Sequence, residues 1–242
     1  MSPHLQSSDA DGVRTLTLDR AGRRNALDTA LARSLLDALR AADADPHVGC
    51  VLLAANGTVF CAGADLGEFK GERADPAAEA RRSDVFLELQ LVFEALRVPV
   101  VCAVTGAAVG AGASLAIASD ITVMGESARL SYPEIVHGMV PSLMVAHLQR
   151  RTGRKAAFEL LAVGDAVGAA QALALGLANR VLPDAEVMPA AAALARALAS
   201  RNRGAMRETK RLFIEHADAP LPDALRAARE AARQRRQAAA TN

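Results

Sequence analysis

Tryptophan is absent from the 242 residues, Tyr132 is the only tyrosine, and aromatic residues make up 3% of the chain. Platforms on which nucleic-acid bases could stack are therefore scarce. Cys50, Cys61 and Cys102 stand in apolar contexts and form no C-x-x-C pair. They read as reduced core residues of a cytosolic protein, not as a disulfide framework. His4, His47, His137, His147 and His216 are scattered without metal-ligand spacing, so no zinc or iron site is expected. No stretch supplies the run of about 18 apolar residues that a membrane span needs. The opening MSPHLQSSDADG has no apolar segment of the kind a secretory leader carries. An excess of one charge is missing too: the formal net charge is +1, which points to neither nucleic acid nor a membrane surface.

What the chain does have is apolar side chains, 51% of all residues, enough for a sizeable packed core. Val13 to Leu18 alternates apolar and polar residues as a half-buried strand does. A basic turn, Arg20 to Arg24, follows. Asp28 then suits the N-cap of a helix through Ala42, with Leu31, Leu35, Leu36 and Leu39 on one face. Cys50 to Ala54 is a second buried strand. Asn56 to Leu66 forms a glycine-bearing strand-to-turn segment in which Asp65 can cap a short helix, leaving free N–H groups near Ala64. Gly71 to Ala80 reads as a surface loop before a helix from about Arg81 to Leu96. Short strands at Ile121–Met124 and Ala128–Leu130 lead to the turn Ser131-Tyr132-Pro133-Glu134. Helical composition covers Pro141–Arg151, Lys155–Ala162 and Ala166–Leu175, and Asn179–Leu182 reads as a last edge strand. From Asp184 onward the chain is helical in composition, broken near Asn202–Gly204 and Ala219–Pro222. Strand-helix alternation followed by helices predicts an α/β core, residues 1–184, and a helical region, 185–242.

The stretch Val98 to Asp120 organises the rest. Val98, Val100, Val101 and Val104 fit a strand buried on both faces. Gly106, Gly110 and Gly112 follow, and then a short apolar helix through Ala118. The turn near Ala111 should leave backbone N–H groups unpaired at a helix start, a place to hold a negatively charged oxygen. The spacing G-x-x-x-G-x-G is not a dinucleotide fingerprint, and Gly-Lys-Ser/Thr of a phosphate-binding loop is missing. On these residues alone, tight strand-to-helix packing is the simpler use of the glycines.

Five blocks in order carry a resemblance: Arg24-Asn25-Ala26-Leu27, Phe60 to Leu66, Pro99 to Asp120, Tyr132-Pro133-Glu134, and Gly176 to Val181. In these the chain resembles the crotonase family, also called the enoyl-CoA hydratase/isomerase family. The resemblance implies a crotonase-like spiral of ββα turns with a C-terminal helical region used in assembly, and homotrimers that often pair into hexamers. It implies an acyl-CoA thioester as substrate, with coenzyme A arriving as part of that substrate and no separate cofactor or metal. The thioester oxygen would be held by the N–H groups of Ala64 and Ala111, with Gly110 shaping the second turn. Family hydratases use two glutamates. Pro133 presents Glu134 at one of those positions, but Ser114 stands at the other. A serine can hold a water yet cannot exchange its proton near neutral pH, so a single-carboxylate proton shuttle, isomerisation, is favoured over hydration. Decarboxylation, thioester hydrolysis and C–C cleavage use the same enolate and stay open.

For coenzyme A, the family's contacts imply the main chain of Ala26, Ala62, Ala64 and Leu66, Asp65 beside them, and Arg24 near the phosphates. His137 is expected on the outer side of its turn. Family members carry a further Ser-x-Asp…Glu-Gly segment past the last helix, and the chain reads as shortened there. The arginines Arg226, Arg229, Arg233, Arg235 and Arg236 could grip RNA in a non-catalytic homologue, but a solvated helix face is the simpler reading.

Overall fold

The computed structural model describes residues 2–68 and 75–240. Strands β1 (Leu5–Ala10) and β2 (Val13–Leu18) open the chain as an antiparallel hairpin, and helix α1 (Thr29–Ala44) follows. Asp28 caps α1 as expected, accepting from the Leu31 N–H at 2.8 Å. The four leucines on its inner face are fully buried, each stabilising by about 1.5–3 kcal/mol relative to exposure. Next come β3 (Cys50–Ala55), β4 (Val59–Cys61) and α2 (Pro76–Ala95). Strands β5 (Val100–Val104) and β6 (Ala107–Val109) lead to α3 (Ala111–Ala118), and β7 (Ile121–Gly125) and β8 (Arg129–Ser131) to a 3₁₀ turn at Pro133–His137.

These middle strands make a coil. β3, β5 and β7 are parallel neighbours in a six-stranded sheet, while β4, β6 and β8 are parallel neighbours in a four-stranded sheet. Each turn of chain thus gives one strand to each sheet and returns through helical structure, which is the expected spiral of ββα turns. Helices α4 (Ser142–Thr152) and α5 (Arg154–Val163) follow. A two-residue strand β9 (Val167–Gly168), helix α6 (Ala169–Ala174) and edge strand β10 (Arg180–Leu182) complete the sheets. The helical end of the chain is α7 (Asp184–Ala199), α8 (Arg203–Glu215) and α9 (Leu221–Ala240).

Strand β5 is buried on both faces, and its alternation divides the core in two. Val100, Cys102 and Val104 join the large cluster with α1, α2 and α3. Val101 and Ala103 face the other way, against Val187, Ala191, Ala195 and Ala199 of α7. The fourfold spacing of those α7 residues is a single helix stripe, so the packed unit runs past residue 184 to Ala199. α8 is pinned to the sheet end by the buried Lys210, whose ammonium donates to the Val98 carbonyl at 2.9 Å and to Asp120 at 2.7 Å.

Three expectations need correction. Residues 76–80 are the first turn of α2, not a loop: Asp75 accepts from the Ala77 N–H and Pro76 occupies the first turn, the position where a missing N–H costs nothing. Residues 71–74 of that expected loop lie outside the described residues. Residues 167–168 are a strand, so the helix expected from Ala166 begins at Ala169. β1 was not expected at all: only its Leu5 is buried, so it carries no alternation to read. The three cysteines are free and buried. Among the described residues no helix is long and apolar enough to cross a membrane.

Candidate functional site

Two turns bring two main-chain amides together. In the first, β4 ends at Cys61 and the chain runs through Ala62 and Gly63 to a parallel bridge between Leu27 and Ala64. The Leu27 N–H donates to the Gly63 carbonyl, and the Asp65 N–H donates to the Leu27 carbonyl, both at 2.8 Å. The peptide joining Gly63 to Ala64 is trans. Because Gly63 C=O points at Leu27, the Ala64 N–H points the opposite way. It donates to no backbone carbonyl among the described residues.

In the second turn, β6 ends at Val109 and α3 starts at Ala111. The Gly110 carbonyl accepts from Ser114 N–H at 2.9 Å, so it points along the helix. The Ala111 N–H, trans to it, points out of the helix start. This amide likewise meets no backbone acceptor among the described residues. The two turns touch: an ideal Cβ on Gly63 would lie 2.8 Å from Val109 O and 3.7 Å from Ala111 N. Gly63, at φ +88°, is therefore the residue that lets one turn reach the other.

Glu134 belongs to the second turn. Gly110 N–H donates to Ser131 O at 2.8 Å, which ties the end of β8 to the helix start. Pro133 begins the 3₁₀ turn that projects Glu134 back. A Cβ on Gly110, itself at φ +50°, would strike Glu134 Oε1, so the carboxyl group sits directly on the Gly110 backbone. Glu134 Oε2 is buried with no hydrogen-bond partner among the described residues. Burial pushes its pKa up from 4.5, opposed by its own backbone N–H and by the charge of His137. His137 itself is exposed, as expected.

Ser114 lies one helical turn after Gly110, on the same face. It is fully buried and its Oγ has no partner among the described residues. The Tyr132 hydroxyl is equally buried and unpartnered. Burial first, and the Glu134 charge second, push the phenol's pKa upward. Among the described residues with buried, unpartnered side-chain atoms, one carboxyl, Glu134, and two hydroxyls, Ser114 and Tyr132, thus belong to the segments around the helix start.

The other expected residues divide. Ala62 is half-buried and its N–H donates to Arg24 O at 3.0 Å. Arg24 is exposed, in the left-handed region at φ 52°. Both main-chain polar groups of Ala26 have protein partners: its N–H donates to Arg23 O and its carbonyl accepts from Arg20. Leu66 is exposed at the start of helical residues 66–68. The Asp65 carboxylate faces protein, accepting from Arg20 at 2.6 Å and from Gly67 N–H at 2.9 Å. Sequence reasoning missed Asn25. It is fully buried with its backbone at φ 53°, and its side chain accepts from Arg20 N–H and donates to the carbonyls of Asn56 and Val59. Its place between two basic residues and an apolar pair was the available signal. Among the described residues no group of three His, Cys, Asp or Glu comes together that could hold a metal.

Comparison with known proteins identifies the family and the fold. The enoyl-CoA hydratase/isomerase family model matches residues 8–240. A putative enoyl-CoA hydratase of Thermus thermophilus is 40% identical over 219 residues, covering 89% of this chain and 86% of the relative. The 2,3-dehydroadipyl-CoA hydratase of Escherichia coli is 33% identical, covering 86% and 81%. Among solved structures, an enoyl-CoA hydratase of Mycobacterium smegmatis superposes with TM-score 0.89 at 33% identity, over 97% of this chain and 91% of that one. Human enoyl coenzyme A hydratase domain-containing protein 3 gives 0.91 at 27%, over 96% and 91%. Matched by the family model over nearly its whole length and by relatives of 33–40% identity on the same spiral, the chain belongs to the enoyl-CoA hydratase/isomerase family.

Proposed function

We propose that the protein moves a double bond along an enoyl-CoA thioester, with Glu134 as the single proton shuttle. The thioester oxygen accepts from the N–H groups of Ala64 and Ala111. Glu134 takes a proton from C2 of a 3-enoyl-CoA, and the electron pair spreads into a dienolate whose charge rests on that oxygen. The same carboxyl then returns the proton at C4, leaving the double bond between C2 and C3. Each pre-set amide stabilises the developing charge by about 2.7–4 kcal/mol, judged from single donors elsewhere. A carboxyl pushed toward neutrality by burial suits both halves of the transfer. The coenzyme A portion passes Ala62 and Leu66, with Arg24 at its phosphates.

The observation that supports this reading is the Glu134 carboxyl seated on the Gly110 backbone with a buried serine, Ser114, one helical turn after Gly110 where the resemblance would put a second carboxylate. Incubation with a 3-enoyl-CoA should raise the ultraviolet absorbance of the conjugated thioester. A 2-enoyl-CoA should lose none of it, and the reverse pattern overturns the preference for isomerisation. That reverse pattern is the second reading, hydration, which the names of the relatives favour. An unpartnered Ser114 hydroxyl capable of holding a water favours it as well. The trimer or hexamer belongs to the same proposal. Exposed Ile135, Val136, Val140 and Phe158 support burial against further copies, and sedimentation of the purified chain checks it.

A further inference from the structure

Arg20 lies two residues beyond β2, so its backbone is anchored to the six-stranded sheet. Its guanidinium does not reach into solvent. One nitrogen donates to Ala26 O at 2.9 Å and to Asp65 Oδ2 at 2.6 Å. The other pairs with Asp28 Oδ2 at 3.0 Å. Arg20 and Asp65 side chains are only 13% and 11% exposed, so the pair is shielded from the water that weakens surface ion pairs.

The partners are what matter. Ala26 directly precedes Leu27, and Asp65 directly follows Ala64. Between them run the two 2.8 Å bonds of the Leu27–Ala64 bridge that fix the direction of the Gly63–Ala64 peptide. One planar fork therefore grips both sides of the bridge, with its partner Asp28 also holding the start of α1. Asp65 is held in turn by the Gly67 N–H at 2.9 Å. The Ala111 amide has no such clamp, because the helix that begins there sets its direction.

We propose that Arg20 is the positioning residue of the site, aiming the Ala64 N–H through Ala26 and Asp65 without touching the substrate. This rests on the acyl-CoA reading above. Loss of the fork leaves the fold and the CoA grip in place but lets the 63–64 peptide tilt. Sub-ångström tilts of a reacting group cost on the order of tenfold or more in rate.

The test uses the full chain and its Arg20→Gln and Arg20→Lys variants. Butanoyl-CoA carrying ¹³C at the thioester carbonyl, which has no double bond to react, is bound to each. Difference infrared spectroscopy then reads the carbonyl stretch. The wild-type protein should shift that band to lower frequency. Arg20→Gln should lose part of the shift and on the order of tenfold in kcat, with KM and butanoyl-CoA affinity changed by no more than about threefold. Arg20→Lys should restore part of both. An unchanged band and kcat in Arg20→Gln overturn the proposal, as does a loss confined to KM. No band shift in the wild-type protein itself would remove the acyl-CoA reading and this one together. Should Arg20→Gln fail to fold, Asp65→Asn, which keeps shape and leaves Arg20 paired to Asp28, must show the same band change or the proposal falls.

Discussion

The two turns that carry Ala64 and Ala111 offer the same chemical group by different means. At Ala111 the direction of the amide is local: five consecutive residues, 110–114, with a glycine at positive φ and a helix start, suffice. At Ala64 it depends on partners far away in sequence, with Leu27 bonded to Gly63 and Asp65, and Arg20 bonded to Asp65 across 45 positions. A locally built donor survives changes elsewhere in the chain, whereas a donor built by long-range partners is exposed to them. The second turn also holds Glu134, the group proposed to move the proton, against the Gly110 backbone. Ways to break the comparison follow from that asymmetry.

The largest effect is expected at Glu134, which only the second turn holds. Glu134→Gln keeps shape and the Gly110 contact but removes the proton shuttle, so kcat on a 3-enoyl-CoA should fall by about 10²–10⁴, with KM little changed. Next come the two glycines at which the turns meet. Gly110→Ala drives a Cβ into the carboxyl of Glu134 at a backbone angle unfavourable to any side chain, disturbing amide and base together. Gly63→Ala drives one toward Val109 O and disturbs the spacing of the amides alone. Both should lower kcat by about 10²–10³, Gly110→Ala the more. Equal losses in their kcat, measured with the fold verified by circular dichroism, would contradict the division of labour.

How much of this was legible in the sequence follows the same division. Helix α1 and strand β2 announced themselves through local periodicity, β3 and β5 through unbroken apolar runs, and the Ala111 turn through its glycines and the helix after it. Side-chain identity at Ala64 and Ala111 carries no signal, because the group proposed to work there is main chain. The free amides near both positions were legible from the cap and glycine patterns, and only their assignment to a thioester oxygen came through the resemblance. Asp65 was legible as a cap, which it is toward Gly67, but its pairing with Arg20 was not, since no local pattern joins residues 45 apart. β1 was hidden because an edge strand with one buried residue shows no alternation. The start of α2 is legible in Asp75-Pro76, a cap followed by a first-turn proline, even though the residues around it are charged and alanine-rich.

A smaller effect is expected from adding what the second turn lacks. Ser114→Glu places a second carboxyl one helical turn from Gly110, on the side where Glu134 sits. The ratio of 2-enoyl-CoA hydration to 3-enoyl-CoA isomerisation should rise about tenfold. An unchanged ratio in the soluble, folded variant would show that Ser114 does not decide between the two reactions.

The smallest effects are on stability, and there the two turns should respond to pH with opposite sign. Asp65 in the first turn is held below 3.8: burial raises its pKa, but the Arg20 hydrogen bond, the Gly67 amide and the charges of Arg20 and Arg23 together outweigh it. Its pairing therefore contributes stability above its unfolded pKa of 3.8 and loses it as pH falls through the lower folded value. Glu134 in the second turn is pushed above 4.5 mainly by burial. The native state then binds its proton more tightly than the unfolded chain, and stability falls as pH rises from 4.5 through the folded value. Asp65→Asn should consequently lower Tm at pH 7, with the difference shrinking toward pH 3. Glu134→Gln should raise Tm at pH 7 by on the order of a degree, with the gain vanishing below pH 4.5. Scanning calorimetry of the two variants between pH 3 and 8 reads both signs at once. A shared sign would mean that burial, which dominates at Glu134, governs Asp65 as well, and that the Arg20 fork holds the first turn more weakly than its 2.6 Å contact implies.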